Sequence, residues 1–120
     1  MNCFRFDSGC FHSRWSEQMI ILTIASKNEY NSFSKFIEDS IKFDVGAPVP
    51  EQMLNRVINR RSTEQEIKNL SEILKYMEWV EIRIEDIDKA FTVFEPEWND
   101  MSFAFETQFN YYYLAWSTSA

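Results

Sequence analysis

Apolar positions change their spacing along this chain, and the changes mark out its elements. Residues 1–18 alternate around Phe4, Phe6 and Phe11, with Asp7-Ser8-Gly9 as a turn. They read either as a hairpin of residues 2–7 and 10–15 or as a peripheral extension. Met19 opens a cleaner strand, MIILTIAS. Ser26 and Glu29 then have the spacing of a capping box, and Tyr30, Phe33, Phe36, Ile37 and Ile41 recur at helical intervals, predicting a helix through about Phe43. The run DVGAPVP ends it, because two prolines and a glycine cannot continue a helix. Pro50 suits the first turn of a second helix over about 50–60, with Met53, Leu54, Val57 and Ile58 as its apolar face. Thr63 and Glu66 repeat the capping-box spacing, and Ile67, Leu70, Ile73, Leu74 and Met77 predict a third helix to about Met77.

Beyond that point the period shortens to two. WVEIRI places Val80, Ile82 and Ile84 on one face and Trp79, Glu81 and Arg83 on the other. A second strand, AFTVF, follows, residues 95–100 turn the chain, and a long strand is predicted over 102–116. Its odd positions, Phe103, Phe105, Phe109, Tyr111 and Tyr113, are aromatic and are expected to meet the helices. The expectation is an α+β fold over residues 1–120 as a single domain. An antiparallel sheet with a C-terminal three-stranded meander would be packed on one face by about three helices, its other face open to solvent.

Composition narrows the class of protein. An aromatic share of 17% with only two glycines argues against disorder. The apolar stretch at residues 19–25 is too short for a membrane helix, and the first residues lack the layout of a signal peptide, so a soluble cytoplasmic protein is expected. Two cysteines, Cys3 and Cys10, are too few for a secreted disulfide scaffold. The hairpin register would place Cys3 opposite Ser13, so free thiols are expected, and a different register would let them pair.

Charge is the most informative feature. The net charge is −7, and residues 78–106 alone hold nine acidic against two basic side chains, while residues 1–77 are balanced at ten of each. Such a field repels phosphate backbones and attracts basic proteins, which disfavours direct nucleic-acid binding.

Catalytic and metal-binding chemistry finds little support. Cys3, Asp7, Cys10 and His12 are the nearest approach to a zinc or Cys–His cluster, but the chain has one histidine and no second cysteine pair. Glu95 and Glu97 flank Pro96 with Asp100 close behind, a carboxylate pair that acid–base chemistry would need to place in a cleft. Residues 85–89 lack the glycine of a calcium loop. Arg56, Arg60 and Arg61 read as helix-end cations. No catalytic, cofactor or metal residue is therefore assigned.

The surface itself remains. Glu81, Glu85, Asp86, Asp88, Glu95, Glu97, Asp100 and Glu106 would steer a cationic partner, and Trp79, Trp98 and Tyr112 would be its anchors. The plainer reading of the same residues is a sheet face that keeps the protein soluble. In general makeup the chain is similar to bacterial immunity proteins and other small acidic inhibitors, a likeness of functional class and not of fold. That likeness implies a non-catalytic inhibitor that binds and neutralises a basic protein such as a nuclease toxin. The alternatives are a phage-type inhibitor of a nucleic-acid-binding host complex, a small ligand-binding or enzymatic domain with an aromatic pocket, and an assembly subunit that uses a sheet edge.

Overall fold

The computed structural model describes residues 1–7, 18–77 and 80–118. In chain order the elements are β1 (Asn2–Phe6), β2 (Gln18–Ser26), α1 (Phe33–Val45), α2 (Glu51–Ile58), α3 (Glu64–Tyr76), a 3-10 turn (Ile84–Asp86), β3 (Lys89–Thr92), β4 (Asp100–Glu106) and β5 (Asn110–Thr118). The strands form one five-stranded antiparallel sheet in the order β1-β2-β5-β4-β3. This is the α+β class predicted, and β3, β4 and β5 are the C-terminal meander.

The helices do not share one face. Ladder pairing puts Phe103 opposite Leu114 and Ala104 opposite Tyr113, so neighbours on each strand alternate between two apolar layers. Leu70, Ile73 and Leu74 of α3 close over Ile20, Leu22, Phe103, Phe105 and Leu114. Phe36, Ile37 and Ile41 of α1, with Val57 of α2, close over Ala25, Phe91, Ala104 and Tyr113 on the reverse. The central strands read as near-continuous apolar runs for this reason, and the expected solvent-facing side does not exist there. Each fully buried Leu, Ile or Phe contributes on the order of 1.5–3 kcal/mol, and such residues fill both layers.

The expected strand over 102–116 is two strands. Thr107 N–H donates to the Asn110 carbonyl at 3.0 Å, and the chain reverses through Gln108 and Phe109. Reversal changes parity. Phe103 and Phe105 therefore lie under α3, whereas Tyr111 and Tyr113 lie under α1, with Tyr111 stacked on Phe33 at 5.1 Å between ring centres. The odd-position aromatics Phe103, Phe105, Tyr111 and Tyr113, expected to meet the helices together, are thus divided between the two layers.

The strand expected over 79–84 is also absent in its described part. The outer edge of β3 is already taken: Arg61 bridges to Phe91, and Ser62 N–H donates to the Ala90 carbonyl at 2.9 Å. With that edge occupied, residues 80–87 join no ladder and carry the 3-10 turn Ile84–Asp86. Val80, Ile82, Ile84 and Ile87 pack into the layer beneath α3, so their alternation reports burial without a ladder.

The two capping boxes read in the sequence have different outcomes. At α3 both bonds form, Glu66 N–H to Thr63 Oγ1 at 3.2 Å and Thr63 N–H to Glu66 Oε1 at 2.8 Å. At Ser26 the equivalent bond from Ser26 N–H to Glu29 Oε1 forms at 3.1 Å, but it closes a turn. Helix α1 starts later, capped by Ser32, whose side chain accepts from Lys35 N–H at 3.1 Å. It ends at Gly46, whose φ of 78° is left-handed and suits a residue without Cβ. Pro50 is the N-cap of α2 and precedes its first turn.

At the amino terminus, β1 pairs directly with β2, Asn2 opposite Ile24 and Phe6 opposite Ile20. Among the described residues, β1 is therefore an edge strand of the main sheet. The second arm of the expected hairpin, with Cys10, His12 and Ser13, lies outside the described residues.

Candidate functional site

Of the eleven residues expected to form one binding surface, the ten that are described separate into two poles. β4 explains why. It begins at Asp100 and ends at Glu106, and seven residues at about 3.3 Å each hold its ends roughly 20 Å apart.

One pole surrounds the β4–β5 turn. Glu81, Arg83, Asp86, Phe109 and Tyr112 are among the residues lining a cavity of about 350 Å³. Arg83 is engaged by Glu85, Nε to Oε2 at 3.3 Å, which leaves Glu81 and Asp86 without an ion pair among the described residues. Asp88 is exposed, and its N–H donates to the Glu106 carbonyl at 2.8 Å. Glu106 and Tyr112 are not the free surface groups expected. The Glu106 carboxylate is largely buried and pairs with Lys27 at 3.3 Å, while Tyr112 stacks on Phe105 at 5.0 Å. Exposed apolar surface comes instead from Phe109, 69% accessible at the turn.

The other pole is the β3–β4 connection. Glu97 N–H donates to the Asp100 carbonyl at 2.9 Å and Asp100 N–H returns to Glu97 at 3.2 Å, closing a tight turn with Trp98 and Asn99 at its tip. Trp98 is 70% accessible. Glu95 is drawn aside to Arg60 at 3.2 Å, but neither Glu97 nor Asp100 has an ion pair among the described residues. Trp79, the remaining anchor expected from the sequence, lies outside the described residues.

A third carboxylate that the sequence did not flag completes this pole. Asp44, in the last turn of α1, accepts a 2.7 Å hydrogen bond from the buried Tyr113 hydroxyl and faces Asp100 across a cavity of about 260 Å³. An acid in the last turn of a helix opposes the helix dipole, and that local mismatch is the only trace Asp44 leaves in the sequence. The Asp100 carboxyl is pushed up from its ordinary value, first by burial and then by the negative charges of Glu97 and Asp44. Glu97 and Asp44 thus both repel the Asp100 carboxylate, and none of the three has an ion pair among the described residues.

The chain matches no protein-family model, no curated protein and no solved structure. Among the described residues no three His, Cys, Asp or Glu side chains converge as metal ligands, and no helix is long and apolar enough to cross a membrane. Cys3 is an exposed free thiol on β1, while its expected neighbours Cys10 and His12 lie outside the described residues.

Proposed function

We propose that this protein is a non-catalytic binder of a basic protein, in the manner of an immunity protein acting on a cationic nuclease toxin in the cytoplasm. The observation that supports it is the β3–β4 turn, where exposed Trp98 lies in the chain between Glu97 and Asp100, Asp44 shares a cavity with Asp100, and none of the three carboxylates has an ion pair among the described residues. Large aromatics at a protruding turn are the usual anchors of an interface, and uncompensated charge sets orientation and on-rate. A lysine or arginine brought by the partner offsets the repulsion that Glu97 and Asp44 exert on the Asp100 carboxylate, so binding gains from a cost that the free protein carries. A nuclease is a fitting partner because it must present cations to phosphate. The opposite pole repeats the chemistry with Phe109, Glu81 and Asp86 and extends the acidic field.

Co-purification from the native host, followed by binding measurements with Trp98→Ala and with Glu97→Gln/Asp100→Asn, tests this function. A basic partner is expected, held more weakly by both variants. Loss of neither affinity nor salt dependence in those variants would move the interface elsewhere.

A further inference from the structure

A cavity of about 390 Å³ that neither pole uses lies between α2 and the chain continuing β3. Met53 and Val57 form one wall and Val93 and Phe94 the other, while Arg56 and Arg60, four residues apart, stand at the rim. Its size falls within the range of roughly 300–1,000 Å³ usual for small-molecule pockets. Two guanidinium groups above an apolar slot match one ligand chemistry, a carboxylate on an apolar body.

The groove already holds an anion of its own. Arg60 is paired with Glu95 at 3.2 Å and more loosely with Glu66 at 3.8 Å, whereas Arg56 has no ion pair among the described residues. The Glu95 side chain is 83% exposed, and so open an ion pair is weak. Its carboxylate marks where an anion rests and can be displaced by a better-anchored one. We infer that this groove binds a small apolar carboxylate, an aryl or medium-chain alkyl acid. Its headgroup would bridge Arg56 and Arg60, and its body would lie between α2 and β3. The site is separate from the Trp98 turn and does not depend on the proposed partner.

The test is a titration of the full chain with phenylacetate and with decanoate, followed by amide NMR, with decylamine as the control of opposite charge. Saturable shifts are expected at Arg56, Thr92, Val93 and Phe94. Arg56→Gln should weaken binding about tenfold or more, through loss of a charge-assisted bond. Glu95→Gln should tighten it by about threefold to tenfold, because the internal competitor is gone. Both side chains are exposed, so neither change endangers the fold, and circular dichroism confirms that. Absence of saturable shifts, equal binding of decylamine, or unchanged affinity in Arg56→Gln would overturn the inference, as would weaker binding in Glu95→Gln.

Discussion

Replacing Tyr113 with phenylalanine removes one oxygen atom and tests how the acidic pole is tied to the core. The ring is fully buried, and its hydroxyl donates to Asp44 at 2.7 Å. A hydrogen bond to a charged acceptor contributes about 1.5–3 kcal/mol net. Because Asp44 is only half-buried, water replaces part of the lost donor, and the expected cost at neutral pH is about 1.5–2 kcal/mol. The pH dependence is the sharper part. Burial first, then the Asp44 charge and the hydrogen bond to it, hold the Tyr113 hydroxyl well above its ordinary pKa. The folded protein keeps this proton where the unfolded chain loses it. The stabilisation is therefore complete below the unfolded value near 10 and is lost as pH rises toward the folded one.

In that window wild type loses about 1.4 kcal/mol per pH unit relative to Tyr113→Phe. The gap between the two proteins therefore narrows as pH rises above about 10. Tyr30, pushed up to about 12 by burial and its bond to Asp39, affects both proteins alike and cancels. Urea unfolding followed by far-UV circular dichroism, repeated from about pH 7 to about pH 11.5, measures the gap. A gap that stays constant across that range, or a variant as stable as wild type at neutral pH, refutes the reasoning.

Asp100→Asn should stabilise the protein at neutral pH, because a carboxyl with a raised folded pKa contributes stability only while protonated. The difference should vanish as pH falls below about 3.8, and urea unfolding in which the variant is less stable at neutral pH would contradict this. Thr63→Ala breaks the capping box of α3 and should cost about 1 kcal/mol in the same assay, with no change in the denaturant slope. Phe36→Ala opens a cavity beneath α1 and should cost about 3–5 kcal/mol; a loss below about 1 kcal/mol would mean the layer under α1 is not packed as described. Trp98→Ala, at an exposed tip, should change stability by less than about 0.5 kcal/mol, which makes it a clean probe of binding.

What the sequence discloses depends on whether the signal is local. Thr63 and Glu66 specify the start of α3 because both bonds of the box lie within four residues. Ser26 and Glu29 make a similar bond, yet the helix waits for Ser32, since the same side-chain bond serves a turn as readily. The alternation of Val80, Ile82 and Ile84 correctly reported burial. It could not report that Arg61 and Ser62, some twenty residues earlier, already occupied the edge of β3. The turn at Thr107–Phe109 carries no glycine or proline, and missing it kept Phe103 and Tyr113 on one face when reversal puts them on opposite faces. For the site, acidity is legible from the sequence and its distribution is not. Residues 78–106 are contiguous in the chain, but β4 carries their charges to two ends of the sheet. Asp44 joins Asp100 only through the pairing of β4 with β5 and the packing of α1 above them.

Docking of a cationic protein on the turn carrying Glu97, Trp98 and Asp100 shows directly in association kinetics with the co-purified partner as salt is raised from about 50 mM to about 500 mM. The on-rate should fall steeply with salt and fall further in Glu97→Gln/Asp100→Asn, while Trp98→Ala mainly speeds dissociation. An on-rate indifferent to salt, with both variants dissociating like wild type, would contradict it.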